Sequence, residues 1–132
     1  MTKAESLLVS LGALALFVLA GASPLLAQDP AKVNSHLATV RVENDQVRVL
    51  DVVLQPGDKE NLHVHPAAVL YVVSGGKLRV HAAEGTVVDK ILTRGDVAYR
   101  GPVALWTENV GKTPVHVIVV ELKTPGDPSS SK

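Results

Sequence analysis

From Leu37 to Lys123 the chain alternates apolar and polar residues with a period of two, and valine fills most of the apolar steps. A β-branched side chain is stiff at χ1 and suits a pleated, half-buried surface better than a helix. The alternation predicts strands with one face inward. Nine segments carry it: Leu37–Glu43, Val47–Gln55, Asn61–His65, Val69–Ser74, Lys77–Ala82, Thr86–Leu92, Asp96–Arg100, Ala104–Glu108 and Val115–Lys123. Turn-forming clusters separate them, among them Gln55-Pro56-Gly57-Asp58, Ser74-Gly75-Gly76, Arg94-Gly95-Asp96 and Val110-Gly111-Lys112. Short strands at a spacing of roughly 8–12 residues imply an all-β sandwich or barrel. No amphipathic helix interrupts the run, which argues against βαβ topologies.

The flanks read differently. Residues 1–27 have the layout of a secretory signal peptide. Lys3 opens it, Leu7 to Ala20 form an apolar stretch, and Gly21-Ala22-Ser23-Pro24-Leu25-Leu26-Ala27 supplies small residues and a helix breaker. Cleavage is expected after Ala22 or Ala27. The alternative is an uncleaved anchor, the sole route by which this chain would engage a membrane. Export to the periplasm or medium follows from this segment. Residues 28–36 read as a linker, 37–123 as one domain, and 124–132, with Pro125-Gly126-Asp127-Pro128 and three serines, as a disordered tail.

Charge narrows the partners. Lys plus Arg and Asp plus Glu number 13 each, so the formal net charge is zero. A neutral chain without like-charge runs offers no electrostatic reason to bind nucleic acid. The count of cysteine is zero. Disulfides, thiolate ligands and thiol nucleophiles are therefore excluded, and stability must come from packing.

The most informative stretch is Gly57-Asp58-Lys59-Glu60-Asn61-Leu62-His63-Val64-His65-Pro66. Residues two apart on a strand face the same way, about 6–7 Å apart along the chain. His63 and His65 thus present two imidazoles on one face, a pattern able to ligate a divalent ion such as Zn, Fe, Mn, Ni or Cu. The same pair also occurs on solvated strand faces, so spacing alone does not settle its role.

The segment resembles the first motif of the cupins: a glycine, five residues, His-x-His, then the strand and turn Tyr71-Val72-Val73-Ser74-Gly75-Gly76. Gly95-Asp96-Val97-Ala98-Tyr99, Pro102 and Glu108-Asn109-Val110-Gly111 resemble the second motif. The resemblance spans Val47 to Lys123 and implies an antiparallel β-barrel or double-stranded β-helix, the cupin jelly roll, with both histidines facing inward. It also implies a homodimer, with Leu37–Glu43 as candidates for exchanged N-terminal strands. The ligand set is incomplete. The family glutamate falls near Ala68 or Val69, and the second-motif histidine falls on Leu105. Val69 and Leu105 are accordingly expected to line a pocket with Tyr99 and Trp106, Trp106 being next to the lost histidine, whereas Tyr71 is expected in the core. Glu60, His36, His81 and His116 could substitute as ligands but are expected to be structural or exposed.

Two functions follow. One is an exported binding module holding an unidentified small molecule in its barrel, with at most weak divalent-metal association. The other is a metal-dependent enzyme of the dioxygenase or isomerase type, with Fe, Mn, Ni or Zn on His63, His65 and a third ligand the sequence does not reveal. Serine triads, phosphate loops and glycosidase acid pairs gain no support.

Overall fold

A computed structural model of the protein describes residues 28–124. Residues 1–27, expected to be a signal peptide, and most of the expected tail lie outside the described residues. Nine strands follow a single helical turn: α1 (Pro30–Val33), β1 (Ala38–Glu43), β2 (Val47–Leu54), β3 (His63–His65), β4 (Ala68–Ser74), β5 (Gly76–Ala82), β6 (Val87–Leu92), β7 (Val97–Arg100), β8 (Val103–Asn109) and β9 (Val115–Leu122). Every strand falls where valine periodicity predicts one. The shortest, β3, starts two residues later than expected. The backbone of Asn61 is engaged by a side chain instead: its N–H donates to Asn34 Oδ1 at 2.6 Å and its carbonyl accepts from Asn34 Nδ2 at 3.2 Å.

All strand pairs are antiparallel, in a five-stranded sheet ordered β1-β2-β9-β4-β7 and a four-stranded sheet ordered β3-β8-β5-β6. Alternation decides what each strand buries. Leu50, Val52 and Leu54 on β2 face Val115, Val117 and Val119 of β9 along one inner surface, while Leu78 and Leu105 come from the opposing sheet. Each such side chain, fully buried, contributes about 1.5–3 kcal/mol. The outward residues pair among themselves, as where His116 Nε2 meets Asp51 Oδ1 at 2.6 Å. His116 therefore stands outside the barrel.

Residues 28–36 are not a plain linker. Asp29 caps α1, accepting from the Ala31 N–H at 2.9 Å, and Pro30 occupies the first helical position where its missing N–H costs nothing. The segment docks against the end of β3 through Gln28, Val33 and Asn34, and Asn34 is wholly buried. β1 pairs with β2 of its own chain.

Between β4 and β5 the chain turns so tightly that a Cβ on Gly75 would overlap the Leu92 carbonyl oxygen and lie 2.8 Å from its carbon. Backbone cannot yield as a side-chain tip does. Gly75→Ala is expected to cost about 1–3 kcal/mol by overpacking, read as a lower denaturant midpoint at unchanged slope. Gly57→Ala, where a Cβ meets nothing within 4 Å, tests left-handed backbone strain alone, since φ there is +88°.

Candidate functional site

Strand β3 pairs with β8, bringing His63 opposite Leu105 and His65 opposite Val103. Both histidines are buried, at 1% and 5% exposure. Their rings meet edge to face with centroids 4.7 Å apart, and the two Nε2 atoms are 3.0 Å apart. Unless both nitrogens face one cation, a proton must lie between them, since two lone pairs at that distance would repel.

The other ring nitrogens are anchored. His65 Nδ1 lies 2.6 Å from Glu121 Oε1, so it donates, crossing from one sheet to the other. His63 Nδ1 is 2.7 Å from the Asn61 carbonyl and 3.1 Å from Asn34 Nδ2. It has an acceptor when protonated and a donor when bare. Glu121 Oε2 in turn accepts from Arg48 Nε at 2.6 Å, and Arg48 Nη1 reaches Asp29 Oδ2 at 2.8 Å. A buried polar chain thus runs from Asp29 through Arg48, Glu121, His65 and His63 to Asn34, beginning and ending on the docked N-terminal segment.

The charges follow. Burial alone would raise the Glu121 carboxyl, but hydrogen bonds from His65 and Arg48 outweigh it and hold the group below its ordinary range. Burial lowers His65, helped by the charges of Arg100 and His63, while Glu121 opposes the shift. A neutral His65 with Nδ1 protonated is the tautomer that Glu121 selects.

Above the histidines the barrel opens into a cavity of about 460 Å³. Its walls are mainly Val52, Leu54, Leu70, Val72, Leu105 and Val117. Of the four residues expected there, Leu105 lines it from β8 and Tyr99 from the rim, where Tyr99 is 68% exposed. Val69 and Trp106 do not line it, because their parity is wrong. Ala68 and Leu70 take the inward positions of β4, and Leu105 and Thr107 those of β8. Trp106 stacks on His81 outside the barrel, centroids 3.6 Å apart and planes 4° apart. His81 also meets Glu108 Oε1 at 3.1 Å, so it is half-buried on the outer face rather than free in solvent. Tyr71, expected in the core, is 45% exposed on the outer face.

The converging Nε2 atoms could both reach one ion, yet the donor set falls short. No group of three His, Asp, Glu or Cys that could hold a metal occurs among the described residues. Glu60 lines the cavity, but its Oε2 is taken by the Thr107 N–H at 3.0 Å and hydroxyl at 2.5 Å. Ala68 and Leu105, both buried, offer no donor, and the Arg100 guanidinium shares the space. Catalytic zinc keeps three protein ligands and one open position. These residues do not fit a tightly held divalent ion.

Three site residues escape motif reasoning. Glu121 continues the inward stripe Val115, Val117, Val119, so its parity marks it as a buried acid. Arg100 shares the inward parity of Ala98, each opposite an inward residue of β4. Asn34 leaves no periodic signal, because it acts from a nine-residue flank through one side chain.

No protein-family model matches the chain, nor does any curated protein. Solved structures do. A cupin domain from Bordetella pertussis Tohama I superposes with a TM-score of 0.62 at 28% identity, over 67% of this chain and 93% of that one. A conserved protein with a double-stranded β-helix domain from Klebsiella pneumoniae gives 0.55 at 28% identity, over 69% and 73%. An RmlC-like cupin family protein from Methanocaldococcus jannaschii gives 0.56 at 15% identity, over 67% and 81%, a likeness of fold alone.

Proposed function

The chain folds as a small cupin domain, and from that premise we propose that it is an exported binding module that holds a small organic molecule in its barrel. The cavity carries this reading. It is concave, within the roughly 300–1,000 Å³ typical of small-molecule sites, and apolar apart from a few convergent polar groups. The polar chain behind the histidines supports rigidity rather than turnover, since both rings spend all four nitrogens on protein partners or on each other.

Native mass spectrometry of the purified chain is expected to show a co-purifying or captured organic molecule at one per cavity. Elemental analysis is expected to find no stoichiometric transition metal. Iron, manganese, nickel or zinc at one per chain, lost on His63→Ala or His65→Ala, would overturn the binding reading in favour of the metal-dependent enzyme. Leu105→His is expected to raise metal affinity, because Leu105 is the cross-strand partner of His63 and the substitution supplies a third imidazole to the pair. An unchanged dissociation constant for Zn²⁺ would sink that alignment.

The homodimer belongs to the same proposal. Tyr71 on the outer face and Val97 and Tyr99 at the cavity rim leave an apolar surface at 45%, 67% and 68% exposure, which a second copy would cover. Sedimentation of the full chain tests it, a monomer at micromolar concentration being the contrary result.

A further inference from the structure

Resting on the small-molecule reading of the barrel, the geometry points to an aliphatic carboxylate as the ligand, its head group taken by Arg100 and its chain by the valine and leucine walls. Arg100 ends β7 and lines the cavity. Its Nε is shielded from solvent and has no hydrogen-bond partner. The guanidinium makes no ion pair among the described residues. Burial depresses its pKa, and the charges of Glu60 and Glu121 offset this only in part. A half-buried cation without a counter-ion is costly unless something supplies one.

The charged neighbours do not supply it. Four charged side chains line the cavity: Lys90, Arg100, Glu60 and Asp96. Both acids are already engaged. Glu60 Oε2 accepts twice from Thr107, and Asp96 Oδ2 accepts from the Thr93 N–H at 2.9 Å within its turn. Glu121, behind the histidines, is held by His65 and Arg48. Each of these acids has an oxygen committed elsewhere and none reaches Arg100 as an ion pair, so an incoming anion finds a vacant planar donor suited to a carboxylate.

The walls choose the rest of the molecule. Leu54, Leu70, Val72, Leu78, Val117 and Val119 offer no donors, so a polyol or sugar would lose its water without replacement. A multiply charged phosphate would find Arg100 as the one shielded cation, since Lys90, which also lines the cavity, is exposed to solvent. A single negative charge on a hydrocarbon body matches both halves of the site. A divalent cation is disfavoured by the same Arg100.

Calorimetric titration of the full chain with octanoate and with octan-1-ol tests this. Octanoate is expected to bind one per chain, about 10–100-fold tighter than the alcohol, the range a hydrogen-bonded charge contributes. Arg100→Gln is expected to erase that preference, octanoate losing far more affinity than octan-1-ol, and Arg100→Lys to restore part of it. Because Arg100 has no partner to lose, Arg100→Gln without ligand is expected to melt no lower than the unsubstituted protein. Equal affinity for acid and alcohol, octanoate binding that survives Arg100→Gln, or a destabilised ligand-free Arg100→Gln would each overturn the carboxylate and leave the small-molecule reading standing. Binding of neither probe overturns it too, and native mass spectrometry then decides separately whether the barrel holds another molecule.

Discussion

Glu121→Ala is expected to destabilise the fold by about 3–5 kcal/mol, the cost of breaking a buried ion pair from one side. That is a large share of the roughly 5–15 kcal/mol a domain has. Glu121 is 2% exposed and its partner Arg48 only 14%. Losing the carboxylate strips His65 Nδ1 of its acceptor and leaves Arg48 with Asp29 alone. It also removes the bond that ties β9 to β3 across the two sheets. Glu121→Gln keeps an acceptor for His65 while deleting the charge, and is expected to cost less, about 1–3 kcal/mol. Urea unfolding of the three proteins gives the comparison. A loss below about 1 kcal/mol for the alanine variant would mean that the network contributes no more than a surface ion pair.

The same network contributes to the response to acid, beside the outer-face carboxylates Asp51, Asp89 and Glu108, which their basic partners also hold low. Burial tends to raise the carboxyls of Asp29 and Glu121, yet hydrogen bonds and the charge of Arg48 leave both below their ordinary values of 3.8 and 4.5. A depressed folded pKa means stability that is whole above the ordinary value and drains as pH falls through the lowered one. His65 adds an earlier loss. Its folded pKa lies below the ordinary 6.5, mainly through burial, so the unfolded chain takes up that proton first and stability begins to fall beneath 6.5. Thermal midpoints are expected to drop from neutral pH downward, more steeply in the carboxylate range. In Glu121→Gln the carboxylate portion is expected to flatten.

Strand positions were legible in the sequence because β-branched alternation is a local signal, and all nine strands fall on it. The cavity was half legible. Leu105 and Tyr99 sit on its lining, but Val69 and Trp106 were placed by nearness to a motif, whereas strand parity turns each outward. The acid behind His65 could not be found within the motif, since Glu121 lies 56 residues from that histidine. Sheet pairing of β2, β9 and β4 brings it there. A parity count on β9 would still have flagged a glutamate in a valine stripe. Asn34 was out of reach, because a flank that folds by capping and by mimicking strand pairing has no periodicity to read.

Leu50→Ala is expected to cost about 2–5 kcal/mol, whereas Leu70→Ala is expected to cost less than about 2 kcal/mol. The chemistry removed is the same. Leu50 has no exposed surface and does not line the cavity, so its truncation opens a void that the surrounding strands cannot close. Leu70 is half-buried and already borders empty space, so its truncation forfeits fewer contacts and merely enlarges an existing hollow. The inner surface thereby divides into positions that hold the fold and positions that border the hollow, although Leu50 and Leu70 both stand opposite Val119. Denaturant unfolding at equal slopes measures both costs. Equal losses would mean that the positions bordering the hollow are as tightly packed as the others, and that the barrel has no room for a ligand. A small loss at Leu70 with a shift toward longer carboxylates would tie the hollow directly to binding.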